Sequence, residues 1–483
     1  MSTLGQKPAT QHVSTEKQTI TGNGGTSYTL QQSVSQASDI EVFVNNTRQE
    51  PTVAYTASGT TLTMTGAVNA SDSFYVIFQG KAIQTAGLPV DAAITASTIT
   101  TSQTITSTGN ITTSGTVNTP SINSGQIGGR RNLIINGAMQ VAQRGASETG
   151  VTSGGYKTCD RWTVSNTSQG TWTISQSSTA PSDFANSLKF DCTTADGTTN
   201  ASDQLGVDTR IEAKDLIQLN YGTSSAKTIT VSFHVRSNKT GTYTFEAYAQ
   251  DPNRGFSKTY TIDSANTWEK KEIVIPGDTS ASQNFDDNSE IGIIFKWWLA
   301  AGSTFTGGTY SDNVWRANVN ANRISSSNVN LADSTDNEWY ITGVQVELGS
   351  QATPFEHRSF GEELQLCRRY FERLFRGGSA PPGTETTGLG AGVWYQNSQV
   401  LAHLDFSTKR AAPTVTQSET GAMGCYGSGF FRTSTDTTPF DSITPNSLRI
   451  NIGSFNSNGT QGDGTYVQLV TNNSSNISID AEL

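Results

Sequence analysis

Four carboxylates and three tryptophans in one stretch of the chain are the residues whose chemistry is easiest to define. The stretch contains Asp286, Asp287, Glu290 and Asp312, together with Trp297, Trp298 and Trp315. Cleavage of a glycosidic bond uses two carboxylates that face each other across a cleft. The sequence does not establish that any two of these carboxylates face each other, and acids in loops are ordinarily solvated. We therefore expect no catalytic residue in this chain.

The histidines and cysteines show no spacing typical of a metal or redox site. The histidines are His12, His234, His357 and His403, and the cysteines are Cys159, Cys192, Cys367 and Cys425. No two cysteines form a C-x-x-C pair, which favours free thiols and a reducing cytosol at synthesis. Oxygen ligands at 333–337 could hold calcium, although the loop pattern is incomplete. We expect neither a metal nor a cofactor, and leave calcium at 333–337 open.

Aromatic residues in polar, glycine-rich segments indicate a second kind of chemistry, the binding of sugars. Aromatic rings stack on the apolar faces of pyranoses, while nearby amides and carboxylates bond to the hydroxyl groups. Packing within strands and loops is the alternative explanation for each residue. The candidate glycan-binding residues are Trp315, Trp394, Tyr395, Tyr426 and Phe431.

The composition of the 483-residue chain favours an all-β protein with many turns. Hydrophobic residues make up 34% and charged residues 15%, with 46 glycines. Both fractions are low for a globular protein. The net charge of −10 argues against nucleic acid, which requires clustered Lys and Arg. No apolar run is long enough to span a membrane, and residues 1–17 lack the apolar core of a signal peptide.

Residues 89–129 contain a polar tract with evenly spaced apolar residues. Between them lie almost only Ser, Thr, Gly, Asn and Gln, so a single chain cannot bury enough surface there to become ordered. Several copies wound about one axis could bury the stripe, which predicts a β-rich shaft in a homotrimer. A disordered linker is the alternative. The candidate trimer-interface residues are Ile94, Ile99, Ile105, Ile111, Val117 and Ile122.

Alternating apolar residues predict three β-regions around this tract. Residues 1–88 form a small N-terminal β-sandwich suited to attachment. Residues 130–358 contain about ten strands, starting at Leu133–Val141, and predict a two-sheet jelly roll. In one of these strands, Ile229, Val231, Phe233 and Val235 share a face. Residues 379–483 form a C-terminal β-domain that ends in an alternating strand.

A single short helix connects the last two β-regions over residues 359–378. Ser359 and Glu362 have the spacing of a capping box, and Gly377 and Gly378 supply a stop. An apolar stripe runs through Leu364, Cys367, Phe371 and Leu374. The stripe packs either on the chain's own β-domain or on two copies of itself, which makes Leu364 and Phe371 further candidates for the trimer interface.

Several motifs resemble the tail fibre proteins of tailed bacteriophages, especially those of marine podoviruses similar to cyanophages. They are LGQKPAT (4–10), IEVFVNNTRQEP (40–51), YTASGTTLTMTGAV (55–68), NITTSGTVNTPSI (110–122), RRNLIINGAMQVAQRG (130–145), CDRWTV (159–164), ITGVQVELGSQATPFEHRSFGEELQLCRRYFE (341–372), KRAAPTVT (409–416) and IDAEL (479–483). The motifs at 130–145 and 341–372 are the longest and most specific.

The resemblance implies a trimeric fibre in the virion tail, assembled in the host cytoplasm. The N-terminal module would join phage tail or adaptor proteins. The jelly roll would resemble a carbohydrate-binding module, and the distal domains would bind host surface polysaccharide or lipopolysaccharide without cleaving it. A tailspike depolymerase, and a capsid fibre or adaptor, are the alternatives. The sequence identifies no receptor or host.

Overall fold

The computed structural model describes residues 15–79, 130–375, 386–418, 423–427, 430–436, 439–470 and 476–483. The chain divides into two compact units, Met1–Ser114 and Gly115–Leu483. Strands dominate both units, so the predicted all-β fold class is confirmed. The predicted shaft, with Ile94, Ile99, Ile105, Ile111, Val117 and Ile122, lies outside the described residues.

The N-terminal unit is a small β-sandwich, as the alternation of apolar residues predicts. A four-stranded sheet in the order β1-β6-β3-β4 and the β2-β5 pair share one apolar core. Tyr55 is fully buried there, and its hydroxyl donates to the carbonyl of Ile40 at 2.7 Å. The strands are β1 (Glu16–Thr19), β2 (Ser27–Val34), β3 (Ile40–Val44), β4 (Thr47–Gln49), β5 (Tyr55–Met64) and β6 (Phe74–Phe78).

The second unit begins with a sandwich of two antiparallel sheets, in the orders β16-β13-β19-β11-β10-β7 and β18-β15-β14-β17-β12-β9-β8. Phe233 of one sheet contacts Trp297 of the other, with 5.5 Å between ring centroids. The elements are β7 (Ser147–Val151), β8 (Gly155–Tyr156), β9 (Trp162–Thr167), β10 (Thr171–Ser177), β11 (Ser187–Thr194), β12 (Gln204–Glu212), β13 (Ile229–Ser237), β14 (Gly241–Ala249), β15 (Arg254–Ile262), β16 (Glu269–Ile275), β17 (Ile291–Ala301), helix α1 (Ser303–Thr306), β18 (Val314–Ala317) and β19 (Glu338–Leu348).

Side-chain alternation determines which face of each strand lies in this core. In β13 the predicted inward residues Ile229, Val231, Phe233 and Val235 are all fully buried, which confirms the period-two pattern. The predicted strand at Leu133–Val141 is wrong. Its backbone turns through positive φ at Asn136, whose side-chain amide donates to the carbonyl of Val141 at 2.8 Å.

The connecting helix is shorter than the predicted 359–378 segment. Helix α2 spans Phe360–Arg368, and the side chain of Ser359 accepts a hydrogen bond from the amide of Glu362, so the predicted N-cap is confirmed. Strand β20 (Phe371–Phe375) follows, because these residues pair with the last strand of the chain. The predicted apolar stripe through Leu364 and Phe371 therefore crosses from helix to strand.

The C-terminal β-domain contains two further antiparallel sheets. A seven-stranded sheet has the order β25-β24-β28-β21-β22-β27-β26, and a three-stranded sheet has the order β20-β29-β23. The expected ordered strand at the end of the chain is present as β29. The strands are β21 (Thr386–Gln396), β22 (Gln399–Asp405), β23 (Thr414–Gln417), β24 (Met423–Gly427), β25 (Phe430–Thr433), β26 (Phe440–Asp441), β27 (Ser447–Ile452), β28 (Gly464–Val470) and β29 (Asn476–Asp480).

Buried polar contacts join this domain to the sandwich. Glu212 at the end of β12 is fully buried and accepts hydrogen bonds from Arg369 at 2.6 and 2.7 Å. The Tyr370 hydroxyl donates to the same carboxylate at 2.7 Å. Because a buried carboxylate is stable only when it is paired, these contacts hold the segment after α2 against the sandwich.

Candidate functional site

Three tyrosines lie exposed on one face of the C-terminal seven-stranded sheet. Tyr395, Tyr426 and Tyr466 are 53%, 51% and 49% exposed. Tyr426 lies directly opposite Tyr466 on neighbouring strands, and Tyr466 lies opposite Ala391 of β21. Since residues at every second position share a face, Tyr395 lies on the same side as Ala391. We call this surface the tyrosine face.

A close approach of side chain and backbone fixes the position of Tyr466. A Cβ atom built at Gly388 would lie 1.6 Å from the Tyr466 hydroxyl oxygen. The phenol ring therefore lies over the Gly388 backbone, and no larger residue fits beneath it. The glycines of β21 thus allow an aromatic ring to lie against the sheet.

A shallow trough with a volume of about 410 Å³ lies beside the three tyrosines, over β21, β22 and β27. The small residue Ala391 lines its floor, and Val393, Leu401, His403 and Arg449 lie around it. This volume lies within the range of about 300–1,000 Å³ that small-molecule sites occupy. The trough combines apolar surface with groups that donate and accept hydrogen bonds.

An ordered polar network lies on the side of the trough that contains β26 and β27. Arg449 donates to both carboxylate oxygens of Asp441, at 2.6 and 2.9 Å. These hydrogen bonds hold the pKa of Asp441 below its ordinary value, so the carboxylate stays ionised. Asn451 donates to the same carboxylate at 2.9 Å, and His403 contacts Asp405 at 2.9 Å. The side chains are therefore positioned before a ligand binds, which lowers the entropy cost of binding.

Two of the sequence-predicted glycan-binding residues, Trp394 and Trp315, pack against other aromatic residues of the fold. Trp394 is only 2% exposed and packs on Phe455 with centroids 4.9 Å apart, so its assignment as an exposed platform is wrong. Trp315 is half-buried, contacts Tyr221 edge-on and donates its indole N–H to the Pro276 carbonyl at 2.7 Å. The Trp394 ring is therefore enclosed in the fold, whereas the Trp315 ring stays partly exposed.

Two of the other predicted glycan-binding residues, Tyr395 and Tyr426, belong to the tyrosine face. Tyr395 and Tyr426 are exposed there, and the backbone of Phe431 lies opposite Tyr426 in β25. Sequence reasoning missed Tyr466, although the segment GTYVQLV alternates in a way that could have placed Tyr466 opposite the apolar face. It also missed Arg449 and Asp441, because only the strand pairing brings them beside the trough.

The two candidate trimer-interface residues near α2, Leu364 and Phe371, differ in how deeply they are buried within the chain. Phe371 is buried, and the Arg144 guanidinium lies 3.5 Å from its ring centroid. It therefore does not offer an apolar surface to another copy, and its assignment to a trimer interface is wrong. Leu364 is half-buried.

A second polar cluster lies on the outer face of the seven-stranded sheet of the sandwich, but it is closed. Trp297 and Trp298 point to opposite faces as predicted, yet both are fully buried. Trp298 donates to Glu246 at 2.9 Å, which also pairs with Arg323 at 2.8 Å. Burial lowers the pKa of the adjacent Lys296 to about 8. Trp298, Glu246 and Arg323 therefore satisfy one another within the sheet.

Asp312 and the calcium candidate at 333–337 have structural partners. Asp312 pairs with Lys258 and accepts a hydrogen bond from the amide of Thr259. In the calcium candidate at 333–337, Asp333 pairs with Lys239 and accepts from Asn337 at 2.8 Å. Within the described ranges, no three His, Cys, Asp or Glu side chains form a group that could hold a metal. Neither described helix could cross a membrane.

Neither a protein-family model nor a curated protein matches the sequence. Among solved structures, the chain is similar to the enzymatically active domain of tailspike protein 4 of bacteriophage CBA120, with 13% identity and a TM-score of 0.24 over 45% of this chain and 21% of that chain. A putative sugar binding protein from Bacteroides thetaiotaomicron has 13% identity and a TM-score of 0.26 over 45% of this chain and 100% of that chain.

A family 11 carbohydrate-binding module from Clostridium thermocellum, in complex with a β-1,3-1,4-mixed-linked tetrasaccharide, is also similar. It has 12% identity and a TM-score of 0.21, over 43% of this chain and 98% of that chain. The chain spans only about a fifth of the tailspike structure. Similarities this weak assign neither a fold nor a function to this chain.

Proposed function

We propose that the protein is a trimeric, non-catalytic tail fibre of a bacteriophage that binds host surface glycan through the tyrosine face. The observation that carries the glycan-binding part is the exposure of Tyr395, Tyr426 and Tyr466 on one face, beside a trough with ordered polar groups. Rings supply stacking surfaces, and Arg449 and Asp441 supply hydrogen bonds to hydroxyl groups. The resemblance of the motifs at 130–145 and 341–372 supports the fibre part.

The composition of the tyrosine face suits a saccharide ligand. Tyrosine offers a large apolar surface and a polar tip with few rotatable bonds, so little entropy is lost on binding. The Arg449–Asp441 pair is exposed and already fixed in geometry. A ligand rich in hydroxyl groups can bond to both without burying an unpaired charge.

A panel of bacterial surface polysaccharides and lipopolysaccharides tests this proposal. Full-length protein should bind at least one member, and a variant with Ala at Tyr395, Tyr426 and Tyr466 should lose at least tenfold in affinity. Phe360→Ala is the matched control, because Phe360 is an exposed aromatic residue at the start of α2, outside the tyrosine face. Equal loss in the control, or no loss in the triple variant, would contradict the proposal.

The remaining parts of the proposal have separate tests. In the proposal, residues 1–88 attach the fibre to phage tail or adaptor proteins, so deleting them should leave a soluble protein that binds glycan and does not join the virion. Incubation with the bound polysaccharide should leave its chain length unchanged; shortening would favour a depolymerase instead. Imaging of the virion distinguishes the tail from a capsid fibre or adaptor.

A further inference from the structure

A cavity of about 620 Å³ lies where the sandwich meets the three-stranded C-terminal sheet. Arg144, Tyr156 and Lys157 line it from the sandwich, and side chains of β20, β23 and β29 form its floor. It is separate from the tyrosine face, with which it shares no lining residue. The cavity belongs to the second compact unit alone.

The floor of this cavity carries a row of polar side chains across three strands. Arg373 of β20 lies opposite Ser478 of β29, and Ser478 lies opposite Thr416 of β23. Residues that lie opposite each other in adjacent strands share a face and are about 5 Å apart. The row therefore presents one guanidinium and two hydroxyl groups over roughly 10 Å.

The charges around the cavity are compensated with one exception. Lys157 pairs with Glu148 at 3.2 Å. Arg144 pairs with Asp480 at 3.1 Å and with Glu482 at 3.3 Å. These contacts occupy all three carboxylates that line the cavity.

Arg373 is the exception, because it forms no ion pair within the described part of the chain. Its Nη1 donates to the carbonyl of Arg144 at 2.9 Å, and its buried Nε has no hydrogen-bond partner. Burial and the positive charge of Arg144 lower the pKa of Arg373 from its ordinary value. A half-buried cation without a counter-ion is costly, and buried polar groups without partners often mark a bound ion or ligand.

We propose that this cavity binds an acidic saccharide, a sugar whose carboxylate pairs with Arg373 while its hydroxyl groups bond to Ser478 and Thr416. The guanidinium supplies the charge that an anion needs, and the exposed Thr416 side chain offers a hydroxyl group. The Ser478 hydroxyl donates to the Asn476 side chain at 3.3 Å, so it can accept a hydrogen bond from the ligand. Salt bridges on both sides of the cavity fix its walls before the ligand enters. The inference does not depend on glycan binding by the tyrosine face.

Calorimetric titration of the full-length protein with trigalacturonate, galactotriose and inorganic phosphate tests the proposal. The titrations use the variant with Ala at Tyr395, Tyr426 and Tyr466, so that the tyrosine face does not contribute. Trigalacturonate should bind at least tenfold more tightly than galactotriose and than phosphate. If galactotriose binds as tightly as trigalacturonate, the negative charge of the ligand is not recognised. If phosphate binds as tightly, the sugar rings are not recognised. If none of the three binds, the whole proposal is overturned.

Substitutions of residues on the cavity floor test whether the ligand binds there. Arg373→Gln should weaken trigalacturonate binding at least tenfold, Arg373→Lys should weaken it less, and Lys227→Gln, at an exposed cation outside the cavity, should have no effect. If Arg373→Gln lowers the melting temperature, its loss of binding could come from unfolding, and Thr416→Val then tests the site instead. It should weaken binding about threefold at an unchanged melting temperature, and unchanged binding would overturn the proposal.

Discussion

Arg161 and Glu482 are 321 residues apart in sequence and form an ion pair in the interior of the protein. Their side chains are 1% and 4% exposed. Arg161 also stacks on the ring of Tyr370, 3.5 Å from its centroid, and donates to the carbonyl of Arg210 at 2.6 Å. The pair joins the sandwich to the residues that follow β29, so the two parts of this unit are expected to unfold together.

Removal of Glu482 should therefore destabilise the second unit strongly. Glu482→Ala leaves the buried guanidinium of Arg161 without its counter-ion, and breaking a buried pair costs about 3–5 kcal/mol. Unfolding in urea, followed by tryptophan fluorescence, measures the loss. Asp480→Asn is the control, because Asp480 contacts Arg144 from a more exposed position and should cost about 1 kcal/mol or less. Equal losses in both variants would show that burial does not determine the strength of these pairs.

Asp160 should give the same region an unusual dependence on pH. Burial raises the pKa of Asp160 to about 6. The hydrogen bond from Gln143 and the nearby charge of Arg144 lower this pKa, but burial has the larger effect. The unfolded value is about 3.9. The folded state therefore binds the proton of Asp160 more tightly than the unfolded state does, and this difference stabilises the folded state. The stabilisation is complete below about pH 4 and is lost as the pH rises through about 6.

The expected size of the effect is at most about 3 kcal/mol, from two pKa units at about 1.4 kcal/mol each. The difference in unfolding free energy between the wild type and Asp160→Asn, measured from pH 4 to pH 7.5, isolates the contribution of this residue. The wild type should lose stability relative to the variant over that range. A difference that does not change with pH would show that the carboxyl group is ionised throughout.

The N-cap of α2 offers a smaller and more local test. The Ser359 hydroxyl accepts a hydrogen bond from the amide of Glu362 at 3.3 Å, while the Glu362 carboxylate pairs with Arg130 at 2.7 Å. Ser359→Ala should cost roughly 1 kcal/mol of stability through loss of the cap. Ser359→Asp retains an acceptor and should restore it, as measured by the urea midpoint. A midpoint that does not move in Ser359→Ala would mean that the cap contributes nothing.

Local patterns predicted the fold class and the N-cap because each depends on neighbouring residues. The alternation in Ile229–Val235 and the spacing of Ser359 and Glu362 are properties of a few residues. The strand Phe371–Phe375 was not predictable in this way, since it depends on pairing with Asn476–Asp480 more than a hundred residues later. Its apolar residues also fit a helix, and long-range pairing determined the outcome.

The candidate site shows the same limit. Composition selected Tyr395 and Tyr426, but the same criterion selected Trp394. Trp394 packs on Phe455, and this contact depends on the conformation of the loops between them. The Arg449–Asp441 pair joins two strands and leaves no local signature. Exposure is decided by which face of the sheet is covered, and a single sequence carries little information about that.

The stripe in the predicted shaft should control assembly. The prediction rests on spacing alone, because Ile105 and Ile111 lie outside the described residues. The double variant Ile105→Asp, Ile111→Asp should convert a trimer to monomers, because the new carboxylates would be buried where the three chains meet. Light scattering of the purified protein measures the mass, with Thr108→Asp as the polar control. A monomeric wild type would contradict the shaft, and a trimeric double variant would exclude the stripe as the interface.

Gly388 should be required for the tyrosine face even though it carries no side chain. An added Cβ atom would lie 1.6 Å from the Tyr466 hydroxyl oxygen, so Gly388→Ala must displace the phenol ring. We expect at least a fivefold loss of glycan affinity and little change in the melting temperature, because Tyr466 is half-exposed and can rotate into solvent. Gly361→Ala is the matched control. It lies in α2, outside the tyrosine face, and its added methyl group would meet no atom within 4 Å. Binding by Gly388→Ala at the wild-type level would show that the ring over β21 does not contact the glycan, and would confine the site to Tyr395, Tyr426 and the Arg449 side of the trough.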